Sequence, residues 1–92
     1  MLAGFATPEG TDAYARRLAG RAAPGHFRVL DGRRASSLGI GTYLGGEEDA
    51  TDAAYRDAVV AAVAGGVNVI DTAVNYRFQR SERAIGQALA AN

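Results

Sequence analysis

Two short runs hold the side chains that chemistry would use. One is Gly41-Thr42; the other is Asp71-Thr72-Ala73, leading through Val74 and Asn75 to Tyr76. Each run closes a stretch that reads as a strand, Leu38 to Thr42 in the first case and the β-branched Val67 to Ile70 in the second. In parallel α/β folds, binding groups collect where strands end and helices begin. Neighbouring parallel strands also set their C-terminal ends side by side, so Thr42, Asp71 and Tyr76 are expected at one mouth. A carboxylate there is costly to bury unless a cation accompanies it. A loop tyrosine beside such a pair would serve as a proton donor. Each residue has a plainer reading as well: Asp71 can cap backbone amides, and Tyr76 can pack with its hydroxyl in water.

The elements that would position these residues follow from local pattern. Residues 1–10 read as an unstructured lead-in, and Thr11 as the cap of a helix to about Ala22, solvated or weakly docked and stopped by Pro24-Gly25. Phe27 to Leu30 alternates with period two into Asp31-Gly32, a two-residue hairpin signal, and Arg33 to Ser36 would return. Asp49 or Thr51 can cap a helix reaching Ala64, with Tyr55, Val59 and Val63 as its apolar stripe, Asp52 and Arg56 as an i,i+4 ion pair, and Gly65-Gly66 as its stop. A last helix would start with Ser81 as N-cap and run to Ala91, turning Ile85 and Leu89 inward.

Strands alternating with helices of this length predict βαβ units and a parallel sheet. A closed (β/α)8 barrel needs roughly 250 residues, and this chain has 92. The expected fold is therefore α/β, the N-terminal part of such a barrel (a hairpin plus about two βα units), incomplete on its own. Residues 1–26 would be an extension and 27–92 the barrel segment.

Composition narrows the function classes. An apolar share of 48% and a charged share of 22% are ordinary for a globular chain and argue against wholesale disorder, although much of the apolar part is alanine. Ten basic and ten acidic residues cancel without long runs of one sign, so no nucleic-acid footprint is indicated. The lack of cysteine excludes disulfides and thiolate metal sites. The N-terminus shows no basic region ahead of an apolar one, and the apolar run Ala58 to Ala64 is too short to span a bilayer. A cytoplasmic protein with neither membrane nor nucleic-acid partners is the expectation. All ten basic residues are arginine.

The run Gly41-Thr42, Gly66 to Ala73, Asn75-Tyr76, Ser81-Glu82 and Ile85-Gly86 is similar to the signature of the aldo-keto reductases. The resemblance covers residues 27–92, including the hairpin that this family places across the bottom of its barrel. It implies hydride transfer from NADPH to a small aldehyde or ketone. Tyr76 matches the general acid that protonates the carbonyl oxygen. Asp71 matches the carboxylate that holds a catalytic lysine, which in turn activates the tyrosine. Gly41, Thr42 and Asp71 match positions near the nicotinamide end of the cofactor.

The sequence also departs from the family. Its lysine and histidine come from later strands. No lysine is present here, and arginine is a poor substitute because its guanidinium stays protonated. His26 precedes the hairpin and is expected on the opposite side of the barrel. The chain by itself is thus expected to be inactive, with a complementary barrel segment as a partner. Arg77 stands where many relatives have glycine and is read as an exposed arginine flanking the loop, as are Arg80 and Arg83.

Two other readings remain. A Rossmann-type site would use Gly39-Ile40-Gly41 and bind pyrophosphate at the helix start near Thr51, but Leu44 occupies the third glycine position. A noncatalytic barrel piece would instead dock through the open edge of its last strand.

Overall fold

The computed structural model describes residues 4–92, in the order α1 (Pro8–Leu18), β1 (Phe27–Leu30), β2 (Arg33–Ser36), β3 (Gly39–Gly41), α2 (Asp49–Ala64), β4 (Val69–Asp71) and α3 (Arg80–Ala91). Strands β1 and β2 form an antiparallel hairpin, and β3 and β4 form a parallel pair joined through α2. This is a small α/β unit with one βαβ crossover.

Local chemistry explains several elements. Asp31 and Gly32 both adopt positive φ, 51° and 75°, which a two-residue hairpin turn requires. Helix α2 closes in a Schellman arrangement: Gly66 N–H donates to the Val63 carbonyl and Val67 N–H to that of Ala62, with Gly66 at φ 105°. A Cβ on Gly66 would also sit 3.2 Å from the Leu18 side chain, so the positive φ favours glycine there and the close packing adds to it.

The parallel register pairs Gly39 with Val69, Ile40 with Ile70, and Gly41 with Asp71. Because side chains alternate along a strand, Ile40 and Ile70 share one face and Asp71 lies on the other. Ile40 and Ile70 pack on a core of Val59, Ile85 and Ala88, bordered by Val63. Each such aliphatic side chain stabilises by about 1.5–3 kcal/mol when fully buried. The core is thin, as the alanine content implies: Ala84 and Ala88 fill places that larger residues would otherwise take. Helix α3 meets this core through Ser81, Ala84, Ile85 and Ala88, while Leu89, expected inward, is exposed.

The N-terminal segment differs from expectation. Met1–Ala3 of the expected lead-in lie outside the described residues, but Pro8 is already helical. Thr7, not Thr11, is the N-cap, accepting from Gly10 N–H, and Pro8 occupies the first turn where no donor is needed. The helix is also firmly docked. Tyr14 donates its hydroxyl to the Val63 carbonyl, Arg21 donates to Ala64 at 3.0 Å, and His26 bonds the Gly66 carbonyl at 2.8 Å. These side chains reach carbonyls at and just beyond the C-terminal end of α2, where the helix itself supplies no i+4 donor. A guanidinium also suits the negative end of the helix dipole.

Asn68 joins the hairpin to the start of β4. Its side chain accepts from Ser36 N–H at 2.8 Å and donates to the Arg34 carbonyl at 2.9 Å. These bonds draw Asn68 out of the expected strand, which begins at Val69. The hairpin therefore lies at the N-terminal end of the parallel pair, away from Asp71.

Candidate functional site

At the other end of the pair, β3 and β4 stop side by side with Gly41 opposite Asp71. Thr42 follows Gly41 and is fully buried. Its hydroxyl donates to the main-chain carbonyl of Asp71 at 2.9 Å, while its own carbonyl accepts from the Ser81 hydroxyl at 2.6 Å. The two strand tips are thus laced to each other and to α3. The Asp71 carboxylate is left exposed on the face away from the helices. Above Gly41, the position a Cβ would take has no neighbour within 4 Å, so the strand tip faces open space. With its hydroxyl donating to Asp71, Thr42 orders the strand tips.

Tyr76 is half-buried in the loop after β4. Its ring packs edge-to-face on Tyr43, with centroids 5.1 Å apart, and Tyr43 directly follows Thr42. The loops after the two strands therefore meet through these aromatic rings. Tyr43, Leu44, Val74 and Phe78 add exposed apolar side chains at the same end.

Past Tyr76 the backbone takes an unusual course. Arg77, Phe78 and Gln79 have φ of 50°, 58° and 67°, all left-handed and none glycine. Such residues each cost roughly 1–2 kcal/mol, so contacts must enforce the turn. Arg77 supplies them, and here the exposed reading of this residue is corrected. Its side chain is 1% exposed, because the left-handed turn aims it inward. It donates to the Gly46 carbonyl at 2.8 Å, to Asp52 Oδ1 at 2.7 Å and, weakly, to Ser81 Oγ at 3.5 Å. Its guanidinium carbon lies 4.8 Å from the Tyr55 ring centroid, and the Tyr55 hydroxyl donates to the Leu44 carbonyl. Each of the three guanidinium nitrogens thus has a partner, as burial of the charge demands.

Asp52 is therefore engaged by Arg77 and Arg80, and the expected pairing with Arg56 does not form. Arg56 bonds Gln87 instead. The hydrogen bonds from Arg80 and then Arg77 hold the Asp52 carboxyl below its ordinary value against the opposing effect of burial. Arg80 is correspondingly raised, chiefly by its hydrogen bond to Asp52. Its second partner, Asp49, is fully exposed, so that pair adds little. Arg80, also expected to be free at the surface, is half-buried, while Arg83 is exposed as read.

Ser81 is not the N-cap of α3. Gln79 takes that position, and Ser81 is a fully buried residue inside the helix, bonded to Thr42. His26 lies at the hairpin end, its Nε2–H donating to the Gly66 carbonyl while Nδ1 accepts from Ser37 at 2.8 Å. It is remote from Asp71, at the opposite end of β4.

The N-terminus of α2 is unsuited to pyrophosphate. Glu48 is its N-cap, Asp49 and Asp52 occupy the first turn, and the Thr51 hydroxyl donates to the Glu48 carboxylate. This acidic rim would repel a phosphate, which removes the main support for a Rossmann-type site.

The aldo/keto reductase family model matches residues 37–92, more than half of the chain. The match begins after the hairpin and takes in β3, α2, β4 and α3. The chain belongs to the aldo/keto reductase family. Neither a curated protein nor a solved structure matches it. Membership implies oxidoreductase chemistry as the family's general activity and a barrel as the family's fold, with which this small α/β unit is consistent. No helix among the described residues is long and apolar enough to cross a membrane.

Proposed function

We propose that this chain contributes the Asp71–Tyr76 part of an NADPH-dependent carbonyl reductase site. The observation that carries the reading is the meeting of the two strand tips, Asp71 laced to Thr42 and Tyr76 packed on Tyr43, inside the family-matched segment.

When bound, NADPH supplies the hydride for reduction of an aldehyde or ketone. The open strand tip at Gly41 and the exposed Asp71 carboxylate suit the nicotinamide end of that cofactor. Tyr76 donates its phenolic proton to the carbonyl oxygen of the substrate, giving an alcohol, and regains a proton from solvent. The Asp71 carboxylate orients a cationic partner beside Tyr76. The exposed apolar side chains at this end, Tyr43, Leu44, Val74 and Phe78, favour a small carbonyl compound with apolar substituents.

By the family resemblance that cation is a lysine; the present sequence has none, and further barrel strands are proposed to supply it. In the structure β4 pairs only with β3 among the described residues, so its other edge is available for such a strand. The chain alone is accordingly proposed to be inactive. Mixing it with a complementary segment that carries the remaining barrel strands, including lysine and histidine, tests the reading. Carbonyl-dependent NADPH oxidation should be absent with either piece alone and present with both. Binding of the two pieces without turnover would favour a docking role and reject the catalytic one.

A further inference from the structure

We propose that Arg77 is a positioning residue for Tyr76, its buried guanidinium tying together the two loops whose aromatic rings meet at the site. The inference rests on the reading of Tyr76 as the proton donor, but its geometric content can be tested without turnover.

Arg77 is bonded to the chain immediately after Tyr76, so whatever fixes Arg77 fixes the tyrosine's backbone. The left-handed course of residues 77–79 is one that non-glycine residues leave when unrestrained. Within this turn Phe78 is exposed, and Gln79 bonds only to Arg83 on the following helix. Arg77 alone reaches other elements: Gly46 in the loop after β3 and Asp52 on α2. Tyr43 lies in that same loop, between Thr42 and the Gly46 anchor. Tyr55, beneath the guanidinium, holds the loop again at Leu44. The Arg77 side chain therefore ties the loop bearing Tyr43 directly to the loop bearing Tyr76, beside the Ser81–Thr42 bond one helical turn on.

The two functions of position 77 separate by substitution. Glycine at this site relieves the backbone at φ 50° but removes the tie. Lysine keeps the charge but cannot satisfy Gly46, Asp52 and Ser81 together, because it lacks the planar fork.

The test is NMR and amide hydrogen exchange on the full 92-residue chain. The parent should show cross-ring contacts between Tyr43 and Tyr76. In Arg77→Gly those contacts should disappear, and the Phe78 and Arg80 amides should exchange faster by on the order of 10-fold or more, while amides around Val59 and Ile85 stay protected. A purely structural role would change global protection and leave the ring contact of the folded population intact. Should Arg77→Gly fail to fold, Arg77→Lys decides by the same readings, with an intermediate loss expected. Unchanged Tyr43–Tyr76 contacts and loop exchange in a folded variant would overturn the proposal, as would their absence in the parent. In the complemented enzyme, Arg77→Gly should lower kcat more than it changes KM. Lack of turnover by the parent pair would instead count against the proposed function and leave the loop-tying result standing.

Discussion

The hydroxyl of Thr42 donates to the main-chain carbonyl of Asp71 at 2.9 Å, across the tips of the parallel pair. Thr42 is fully buried, so water cannot replace this bond at the threonine. Thr42→Val keeps the shape and removes the donor, and should lower stability by about 1–3 kcal/mol. Urea denaturation checks this; an unchanged midpoint would mean that the strand tips are held by other contacts.

Ser81 continues the same network by donating to Thr42 and receiving Arg77. Ser81→Ala should destabilise by about 2 kcal/mol. Combined with Thr42→Val, the effects should fall short of additive by at least about 0.5 kcal/mol, because both bonds converge on residue 42, whose hydroxyl donates to Asp71 and whose carbonyl accepts from Ser81. A double-mutant cycle in urea measures the shortfall, and strict additivity would show the two bonds to be independent.

Much of the fold was legible wherever its cause was local. Asp31-Gly32 announced the hairpin and Gly65-Gly66 the end of α2, since both depend on backbone freedom at the residues themselves. The Asp71 and Thr42 strand ends were legible from β-branched runs and their stops. Arg77 was not, because its burial depends on a left-handed φ and on partners at positions 46 and 52, neither visible in neighbouring residues. Ser81 misled for a related reason: it has the chemistry of a cap, but the N-cap of α3 falls two residues earlier, at Gln79, which turns Ser81 toward Thr42. Thr7-Pro8-Glu9 did carry a helix-start signal, obscured by Gly10 and by the competing Thr11. Docking of the N-terminal segment through Tyr14, Arg21 and His26 was not readable, since it depends on partners near positions 63 to 66 that lie far off in sequence.

Acid should weaken the protein partly through Asp52. Its native carboxyl lies below the ordinary value of 3.8, so the unfolded chain takes up the proton first as pH falls. The contribution is fully present above the unfolded value and declines from about pH 5 downward, disappearing below the native value. Asp52→Asn should flatten the dependence of the urea midpoint on pH in that window. An equally steep dependence in the variant would place the acid sensitivity elsewhere.

Alkali should act through Tyr14, which burial raises above its ordinary value of 10.0. Its contribution is intact below the unfolded value and is lost as pH rises through the native one. Tyr14→Phe should remove this alkaline loss and, at neutral pH, cost about 1 kcal/mol for the bond to Val63. Thermal melts at neutral and alkaline pH separate the two effects; a variant as alkali-sensitive as the parent would contradict the assignment.

The central claim concerns Tyr76 as proton donor in carbonyl reduction, and Tyr76→Phe tests it most directly. The measurement is the rate of carbonyl-dependent NADPH oxidation by the chain joined with its complementary barrel segment. Loss of the phenolic proton should reduce kcat by about 10²–10⁴-fold, with the two pieces still assembling. Turnover by the assembled Tyr76→Phe pair at the parent rate would contradict the account.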